Sequence, residues 1–360
     1  MSGGRLSEHP VASRPRHWLL YALGGGSGHL MRAISLAKAA AREGIPTRIL
    51  SNSPVLPALM AGRAKRLIEL DASIDVSIIE SRLGAADVIP LIHRELDRLD
   101  AADVLVVDTF PRGIVGEIAD RLERIPAMKV FIHRDLTADY VRDFQLESVV
   151  TRYELVIVPG EEAPLQHLAQ AMTSPWFVCD PGEILSQQES RRVFGIADDD
   201  DRPLVVVSGC GNVEESMAFA SLAQDLKHQL GDRSHVRFAS MYPEGLVHAG
   251  DLAIYLWPLM GVVPGVDLLV GAGGYHTVNE ARVTGTPLLG IPHRRLYDRQ
   301  AHRVRPSETL AFTGETVFRI AERVVSRPQL SAPLSFSNGA QEAFRLIEAA
   351  LVLHSSDRIA

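Results

Sequence analysis

The stretch DLLVGAGGYHTVNEARVTGTPLLGIP, Asp267–Pro292, carries one complete unit of an α/β fold. Its first six residues have the composition of a buried strand, and a double glycine follows them. A helical pattern begins at about Tyr275, and Pro287–Pro292 forms the next apolar run. Strand, glycine turn, helix and strand in this order predict two parallel strands joined by a helix.

The same pattern runs along most of the chain in two series. The first series has apolar runs at Trp18–Leu23, Thr47–Leu50, Asp103–Asp108, Lys129–His133 and Glu154–Val158, and helical patterns at His29–Arg42, Val88–Leu99 and Ile114–Glu123. The second series adds apolar runs at Pro203–Gly209, Val236–Met241 and Ala253–Trp257, and a helical pattern at Val213–Leu230. Near-continuous Val, Ile and Leu runs between helices indicate parallel sheets covered on both faces. The predicted fold class is α/β, with two Rossmann-like domains whose parallel sheets face each other across a cleft.

The domain boundaries follow from where this pattern weakens. Met172–Asp201 has little periodicity, contains Pro175, Pro181 and Gly182, and ends in four consecutive aspartates, which is typical of a junction. We therefore predict a flexible N-terminal tail over residues 1–16, a first domain over 17–172 and a second domain over 173–335. Residues 336–360 are expected to form a C-terminal helix that could pack back on the first domain.

Composition excludes several classes of protein. The 360 residues are 46% hydrophobic and carry a net charge of −7, which suits neither the wrapping of nucleic acid nor a disordered chain. Two cysteines are too few for a disulfide scaffold or a four-cysteine zinc site. The polar start lacks the apolar stretch of a signal peptide, and the apolar runs are too short to span a membrane. We expect a cytoplasmic protein without stable membrane insertion or a nucleic-acid partner. These patterns make no prediction of the oligomeric state.

GGGSGH, Gly24–His29, is the first candidate site because it lies between a strand and a helix. A dinucleotide fingerprint starting at Gly24 would need glycine at His29, and the second strand ends in Leu50-Ser51-Asn52 without the acid that holds a ribose. NAD binding is therefore not predicted. Helix-start N–H groups and a titratable imidazole at the carboxyl end of a parallel strand favour a ligand site. A tight turn without a ligand stays open.

The second candidate site lies within the opening stretch. Backbone N–H groups over Gly274–Thr277 begin a helix and could hold a diphosphate. Glu280 lies one turn after Thr277 on the same face, where its carboxylate could accept both hydroxyls of a ribose. From the residues alone, a solvated helix acid is an equally good interpretation of Glu280.

These two segments, in this order and at this separation, resemble GT-B glycosyltransferases. The resemblance covers roughly residues 17–320 and is most specific at GGYHTVNEARVTGTPLLGIP and YDRQAHR, Tyr297–Arg303. Within that group the sequence is similar to the lipid II N-acetylglucosaminyltransferases, with their glycosyltransferase family 28 C-terminal domain, and to related predicted bacterial glycosyltransferases. The resemblance implies a GT-B fold in which the first domain borders the acceptor and the second binds a nucleotide sugar.

The resemblance also implies roles for individual residues. His29 would act as the catalytic base and Asp108 would orient it. Donor-binding residues would be Gly209, Gly211, Asn212, Gly273, Gly274, Tyr275, His276, Thr277, Glu280, Asp298 and Gln300. Acceptor-side residues would be Gly26, Ser27, Gly28, His133, Arg134 and Asp135. No metal ligand and no cofactor are expected.

Three departures from the family pattern bear on this assignment. Ala272 stands where many members carry a diphosphate-binding histidine, and Cys179–Glu183 lacks the arginine of the lipid II enzyme. His29-Leu30-Met31-Arg32 also resembles the GHxxR segment of a nucleotide-sugar hydrolase. The expected function is metal-independent, inverting transfer of a sugar from a nucleoside diphosphate sugar, with uridine as the expected base, to an acceptor hydroxyl. Hydrolysis or epimerisation of a nucleotide sugar, or non-catalytic binding of one, are the alternatives.

Overall fold

Two parallel sheets, one in each half of the chain, organise the molecule. The computed structural model describes residues 16–80, 82–209, 211–305, 314–326 and 335–357. Within these ranges the strands of the first sheet lie in the order 74–78, 47–51, 18–21, 104–108, 128–132, 155–159 and 171–173, and those of the second lie in the order 253–254, 235–240, 204–209, 268–272 and 288–291. Neighbouring strands within each sheet run parallel to each other. The predicted α/β class with two Rossmann-like sheets is confirmed.

The first lobe contains most elements up to the junction. Its strands are β1 (Trp18–Tyr21), β2 (Thr47–Ser51), β3 (Lys65–Arg66), β4 (Ile74–Ile78), β5 (Val104–Asp108), β6 (Met128–Ile132), β7 (Leu155–Pro159) and β8 (Ala171–Thr173). Its helices are α1 (Ser27–Arg42), α2 (Leu56–Met60), α3 (Ala85–Leu96), α4 (Ala138–Asp143) and α5 (Leu146–Val150). The central strands β1 and β5 are buried throughout, because helices cover both faces of the sheet.

The second lobe repeats this architecture. Its strands are β9 (Leu204–Gly209), β10 (His235–Ser240), β11 (Ala253–Ile254), β12 (Leu256–Trp257), β13 (Leu268–Ala272) and β14 (Leu288–Ile291). Its helices are α6 (Gln187–Val193), α7 (Val213–Leu230), α8 (Pro243–Ala249), α9 (Tyr275–Thr284), α10 (Gln300–Arg303) and α11 (Gly314–Val325), and the C-terminal helix α12 covers Gly339–Asp357. None of the helices in the described ranges combines the length and apolarity that crossing a bilayer requires.

The C-terminal helix α12 packs on the first lobe, against α1. Phe344 stacks on Trp18 with ring centroids 5.3 Å apart, and Glu348 accepts a 2.7 Å hydrogen bond from Arg16. The chain therefore crosses back after the second lobe. Of the predicted tail, residues 1–15 lie outside the described residues, and the domain bounds at residues 172 and 173 stay a prediction.

Two expected elements are wrong. The helix expected at Ile114–Glu123 is a series of turns, because the buried carboxylate of Glu117 accepts hydrogen bonds from the Tyr21 hydroxyl and from the backbone N–H of Val115. Gly113 and Gly116 adopt positive φ angles of 79° and 89°, which a helix does not allow.

The single strand expected at Ala253–Trp257 is divided between two sheets. Residues of β11 pair with β10 in the second lobe, whereas Leu256 and Trp257 pair with β3 of the first lobe. Backbone N–H groups of Lys65 and Leu67 donate to Tyr255 and Trp257 at 2.9 and 2.8 Å. This short pairing joins the lobes through their backbones.

Tyr275, the first residue of α9, is a second tie between the lobes. Its buried hydroxyl donates to the Pro159 carbonyl at 2.9 Å and accepts from the Trp176 N–H at 2.8 Å. The Arg134 guanidinium lies over its ring, 4.3 Å from the centroid, which is a cation–π distance. The start of α9 is thereby anchored to the ends of the first-lobe strands.

We expect Tyr275→Phe to lower the free energy of unfolding by about 1–3 kcal/mol, because it leaves a buried N–H and a buried carbonyl without their partner. Urea unfolding of both proteins at pH 7.5 measures this. Tyr255→Phe is the matched control, since its hydroxyl has no hydrogen-bond partner among the described residues. Equal losses in the two variants would refute the anchoring role.

Candidate functional site

A cavity of about 520 Å³ lies between the lobes, at the carboxyl ends of both sheets. Open α/β sheets bind ligands at this edge because the connecting loops and helix starts converge there. It is lined by the glycine loop after β1, the loops after β5 and β6, and the segments 211–212, 272–277 and 295–300. Among the described residues, no group of three or more His, Cys, Asp or Glu side chains could hold a metal ion.

His29 and Asp108 meet in this cavity. His29 lies in the first turn of α1 and Asp108 ends β5, the strand beside β1 in the sheet. The imidazole Nδ1 lies 2.6 Å from Asp108 Oδ2. The other edge of the ring lies over Gly24, where a β-carbon would come within 2.3 Å of Nε2. Glycine at position 24 is therefore required for this placement of the imidazole.

Arg32 completes this cluster from the next turn of α1. Its Nε and NH2 groups donate to the two oxygens of Asp108 at 2.8 and 2.7 Å. The spacing from His29 is three residues, which puts both side chains on one face of the helix. The GHxxR spacing predicts that Arg32 lies near His29, but it does not show which carboxylate the arginine contacts.

The charges in this cluster set its protonation state. Burial lowers the pKa of the His29 imidazole below its ordinary value, and the contact with Asp108 offsets this only in part. Burial raises the pKa of Asp108, but the charge of Arg32 and the hydrogen bonds from His29 and Arg32 outweigh it and hold that pKa well below its usual range. At neutral pH the cluster therefore contains a carboxylate, a guanidinium and a neutral imidazole.

The side chain of Asn52 holds the glycine loop in place through two hydrogen bonds. The Oδ1 atom of Asn52 accepts the N–H groups of Gly24 and Gly25 at 2.9 and 3.0 Å. Asn52 follows β2, the position where a dinucleotide-binding domain carries its ribose acid. The amide thus organises the loop itself. Gly26, Ser27 and Gly28 follow and line the cavity. Gly26 is the N-cap residue of α1, so no side chain at this position caps the first N–H groups of the helix.

The second glycine segment faces the first across the cavity. Gly274 precedes α9 without a side-chain cap, and Gly274, Tyr275, His276 and Thr277 all line the cavity. His276 Nε2 lies 3.4 Å from the Gly28 carbonyl oxygen. The starts of α1 and α9 therefore approach each other, and each presents the positive end of its helix dipole to the same space. Gly273 is buried at the back of this segment, and its carbonyl accepts from Arg303 at 3.0 Å.

Glu280 lines a smaller adjoining cavity of about 120 Å³. His276 links it to the main cavity, because its Nδ1 lies 3.6 Å from Glu280 Oε1. Four residues line both cavities: Ser27, Met31, His276 and Thr277. Ser208 and Gly209 at the end of β9 and the segment Leu256–Leu259 also line the smaller cavity. His29 and Glu280 thus lie in connected spaces.

The turn after β9 forms another part of the wall. Gly211 and Asn212 line the main cavity, and Gly211 has a φ of 110°. Asn212 caps α7 by accepting the Glu215 N–H at 2.8 Å. Arg295, which also lines the cavity, forms a bidentate ion pair with Glu215. Cys210 lies outside the described residues.

Other expected site residues form a charged network across the lobes. Arg134 and Arg303 both contact Glu161, and Arg303 NH2 also donates to Asp298 Oδ1 at 2.7 Å. Asp135 accepts a 2.7 Å hydrogen bond from Arg299 Nε.

Glu161 was not among the expected residues, because it lies in a loop after β7 with no motif around it. Gln300 lines the cavity, but its Oε1 is engaged by the His293 N–H at 3.0 Å.

The structure does not bring His133 to the cavity. Its side chain is buried at the end of β6, and Nε2 accepts the Leu165 N–H at 3.1 Å. Burial lowers the pKa of this imidazole to about 4, against the attraction of Glu161. His133 is therefore held neutral as a hydrogen-bond acceptor in the first lobe.

This pKa predicts a pH-dependent stability. The unfolded imidazole takes up a proton near pH 6.5, whereas the folded one stays neutral, so its stabilising contribution is present above pH 6.5 and is lost as the pH falls towards 4. Relative to His133→Gln, which keeps an acceptor near Nε2, the wild type is expected to lose about 1–2 kcal/mol between pH 7 and pH 5. Urea unfolding at both pH values gives this difference; a difference independent of pH would contradict it.

Comparison with solved structures identifies the fold. No family model and no curated protein matches the chain. The glycotransferase of kitacinnamycin superposes with a TM-score of 0.60 at 14% identity, covering 94% of this chain and 100% of that one. The glycosyltransferase SsfS6 of a Streptomyces species, complexed with thymidine diphosphate, gives a TM-score of 0.54 at 14% identity over 93% of this chain and 99% of its own. MurG of Acinetobacter baumannii gives 0.53 at 16% identity over 93% of this chain and 100% of its own.

Identities this low establish the fold alone. The two parallel sheets, the crossing C-terminal helix and the cavity between them are therefore those of a GT-B structure. The chain has the GT-B fold that its two glycine-rich segments implied.

Proposed function

We propose that this protein is a glycosyltransferase that moves a sugar from a nucleoside diphosphate sugar to an acceptor hydroxyl. The observation that carries the proposal is the placement of His29, with its Asp108 partner, in a cavity onto which the starts of α1 and α9 open. Sugar transfer from a nucleoside diphosphate can use a general base for the acceptor hydroxyl and helix-start N–H groups for the diphosphate. The cavity presents both.

The donor is assigned to the second lobe. The ribose would lie at the smaller cavity, with the Glu280 carboxylate accepting its hydroxyls. The diphosphate would then lie at Gly274–Thr277, where backbone N–H groups and the α9 dipole favour negative charge. Gly211 and Asn212 border the same position. The SsfS6 complex with thymidine diphosphate supports a nucleoside diphosphate as the ligand class.

His29 would take the proton of the acceptor hydroxyl at Nε2. Its lowered pKa keeps it unprotonated and thus ready to act as a base at neutral pH. Asp108, on Nδ1, fixes the tautomer and stabilises the imidazolium that forms. Attack from the side opposite the departing diphosphate inverts the anomeric carbon, and the amides at the α9 start stabilise the leaving charge. In this scheme main-chain amides bind the diphosphate in place of the arginine that the lipid II enzyme uses. The scheme needs no metal ion.

Two measurements test the proposal. A thermal-shift panel of nucleoside diphosphates and nucleotide sugars identifies the base, because a ligand at 100 times its Kd stabilises the folded state by about 2.7 kcal/mol. Incubation of the best nucleotide sugar without acceptor then separates transfer from hydrolysis. The GHxxR segment, with Arg32 on Asp108, makes hydrolysis the second candidate, and rapid release of free sugar would assign it.

We expect His29→Ala to lower turnover by about 10²–10⁴, because it removes the base while leaving the helix-start amides in place. The Kd of the nucleoside diphosphate should change less than threefold. Calorimetry and steady-state kinetics on the same preparations give both values. A Kd that rises as much as turnover falls would make His29 a binding residue only.

We expect Glu280→Gln to weaken nucleoside diphosphate binding by about 1–3 kcal/mol, because a charged acceptor of two ribose hydroxyls is lost. Calorimetry with the ribo- and 2′,3′-dideoxy forms sharpens the test, since the dideoxy form should bind both proteins alike. Asp232→Asn, which removes a carboxylate that is 97% exposed, is the control. Unchanged affinity for the ribo form would refute the ribose assignment.

A further inference from the structure

Four aromatic rings form a continuous cluster beside His29, which we call the aromatic wall: Phe110, Tyr140, Phe144 and Tyr297. The Phe110 ring lies edge-to-face with Tyr140 and Tyr297, at centroid distances of 5.8 and 5.7 Å. Tyr140 contacts Tyr297 at 4.5 Å and Phe144 at 4.8 Å. Three of these rings come from the first lobe and Tyr297 comes from the second, so the contacts of Tyr297 join the two lobes.

Two rings of the aromatic wall, Phe110 and Tyr297, line the main cavity, and Tyr140 and Phe144 extend the cluster outside the cavity lining. Phe110 stacks on the His29 imidazole, with centroids 5.4 Å apart, and both line the main cavity. Tyr297 and Leu296 continue the lining outwards. At the outer end Leu296 is 76% exposed and Phe144 is 43% exposed. An exposed apolar surface that continues into a cavity is typical of a ligand-binding surface.

The arginines that line the cavity are already engaged. Arg32 is paired with Asp108, Arg134 with Glu161 and Arg295 with Glu215. Beside the wall, Arg142 forms ion pairs with Asp139 and Asp143, and Arg299 forms one with Asp135. A phosphorylated acceptor would therefore find no unpaired arginine among the described residues that line the cavity, whereas an uncharged acceptor needs none.

We propose that the acceptor is an uncharged, flat aromatic molecule that carries a hydroxyl group, such as a phenol. This inference rests on the proposed transferase function and names its acceptor class. The aromatic ring of the acceptor packs on the aromatic wall, and its hydroxyl points to Nε2 of His29. Rigid aromatic surfaces favour flat rings through stacked or edge-to-face contacts, and a flexible aliphatic chain loses more conformational entropy on binding there.

The transfer step is balanced with these groups. The acceptor oxygen forms a bond to the anomeric carbon of the donor sugar while the bond between that carbon and the diphosphate oxygen breaks. The hydroxyl proton passes to Nε2 of His29. The bond electrons leave with the nucleoside diphosphate, and the product is an aryl glycoside.

The test uses umbelliferone, a flat fluorescent phenol, and the full-length protein saturated with the nucleoside diphosphate it binds. Fluorescence titration gives the Kd of the phenol. Tyr297→Ala is expected to weaken it about tenfold, through lost burial and lost aromatic contact. Leu296→Asp changes an exposed side chain at the mouth without disturbing the core and should weaken it about fivefold. Val247→Asp, at a residue that is 82% exposed on α8, is the matched control and should leave the Kd unchanged.

The outcomes separate this inference from the proposed function. Binding of the nucleoside diphosphate without binding of umbelliferone overturns the acceptor class alone. Farnesyl phosphate binding at least tenfold more tightly than the phenol also overturns it, in favour of a phosphorylated lipid. Displacement of the phenol by the nucleoside diphosphate overturns it as well, since the probe then occupies the donor site. A protein that binds no nucleoside diphosphate loses the proposed function, and the acceptor role with it.

Discussion

Everything in the cavity depends on how the two lobes are held against each other, and the buried carboxylate of Glu161 is one of the groups that join them. It is shared by Arg134 of the first lobe and Arg303 of the second, and Arg303 also contacts Asp298. Burying such charges costs about as much as their attraction returns, so the network adds little net stability. What it contributes is geometry, because removing one partner leaves the remaining buried charges only partly balanced. The lobes are thereby held in the one arrangement that brings the start of α9 to the glycine loop of α1.

The fold could be predicted because its strands are buried on both faces. Runs such as Val104–Val107 are apolar at every position, and such runs between helical patterns have few other interpretations. The errors arise where a distant residue decides the local structure. Glu117 bonds to Tyr21, 96 positions away, and so turns replace a helix. Leu256 and Trp257 leave their own sheet for β3, since a backbone partner in the other lobe is invisible in a local pattern.

The candidate site was predictable to the extent that topology governs it. His29 and Asp108 follow adjacent parallel strands, and the ends of such strands meet at one edge, so their contact could be anticipated. Two contacts depend on side-chain directions that a motif does not encode. They are the ion pair of Arg32 with Asp108 and the hydrogen bonds of Asn52 to the glycine loop. His133 illustrates the converse, because it also follows a parallel strand and yet points into the lobe. Strand ends select candidates, and packing decides which of them reach the cavity.

The sharing of Asp108 between Arg32 and His29 has a chemical consequence. A carboxylate that faced only the imidazole would favour the protonated ring, and an imidazole that is already protonated cannot accept the proton of the acceptor hydroxyl. With Arg32 bonded to both oxygens, the negative charge is already balanced, and burial keeps the imidazole neutral. When a proton does reach Nε2, Asp108 lies 2.6 Å from the opposite nitrogen and stabilises the charge where it forms. The arginine thus restrains protonation at rest, while the carboxylate supports it during the transfer.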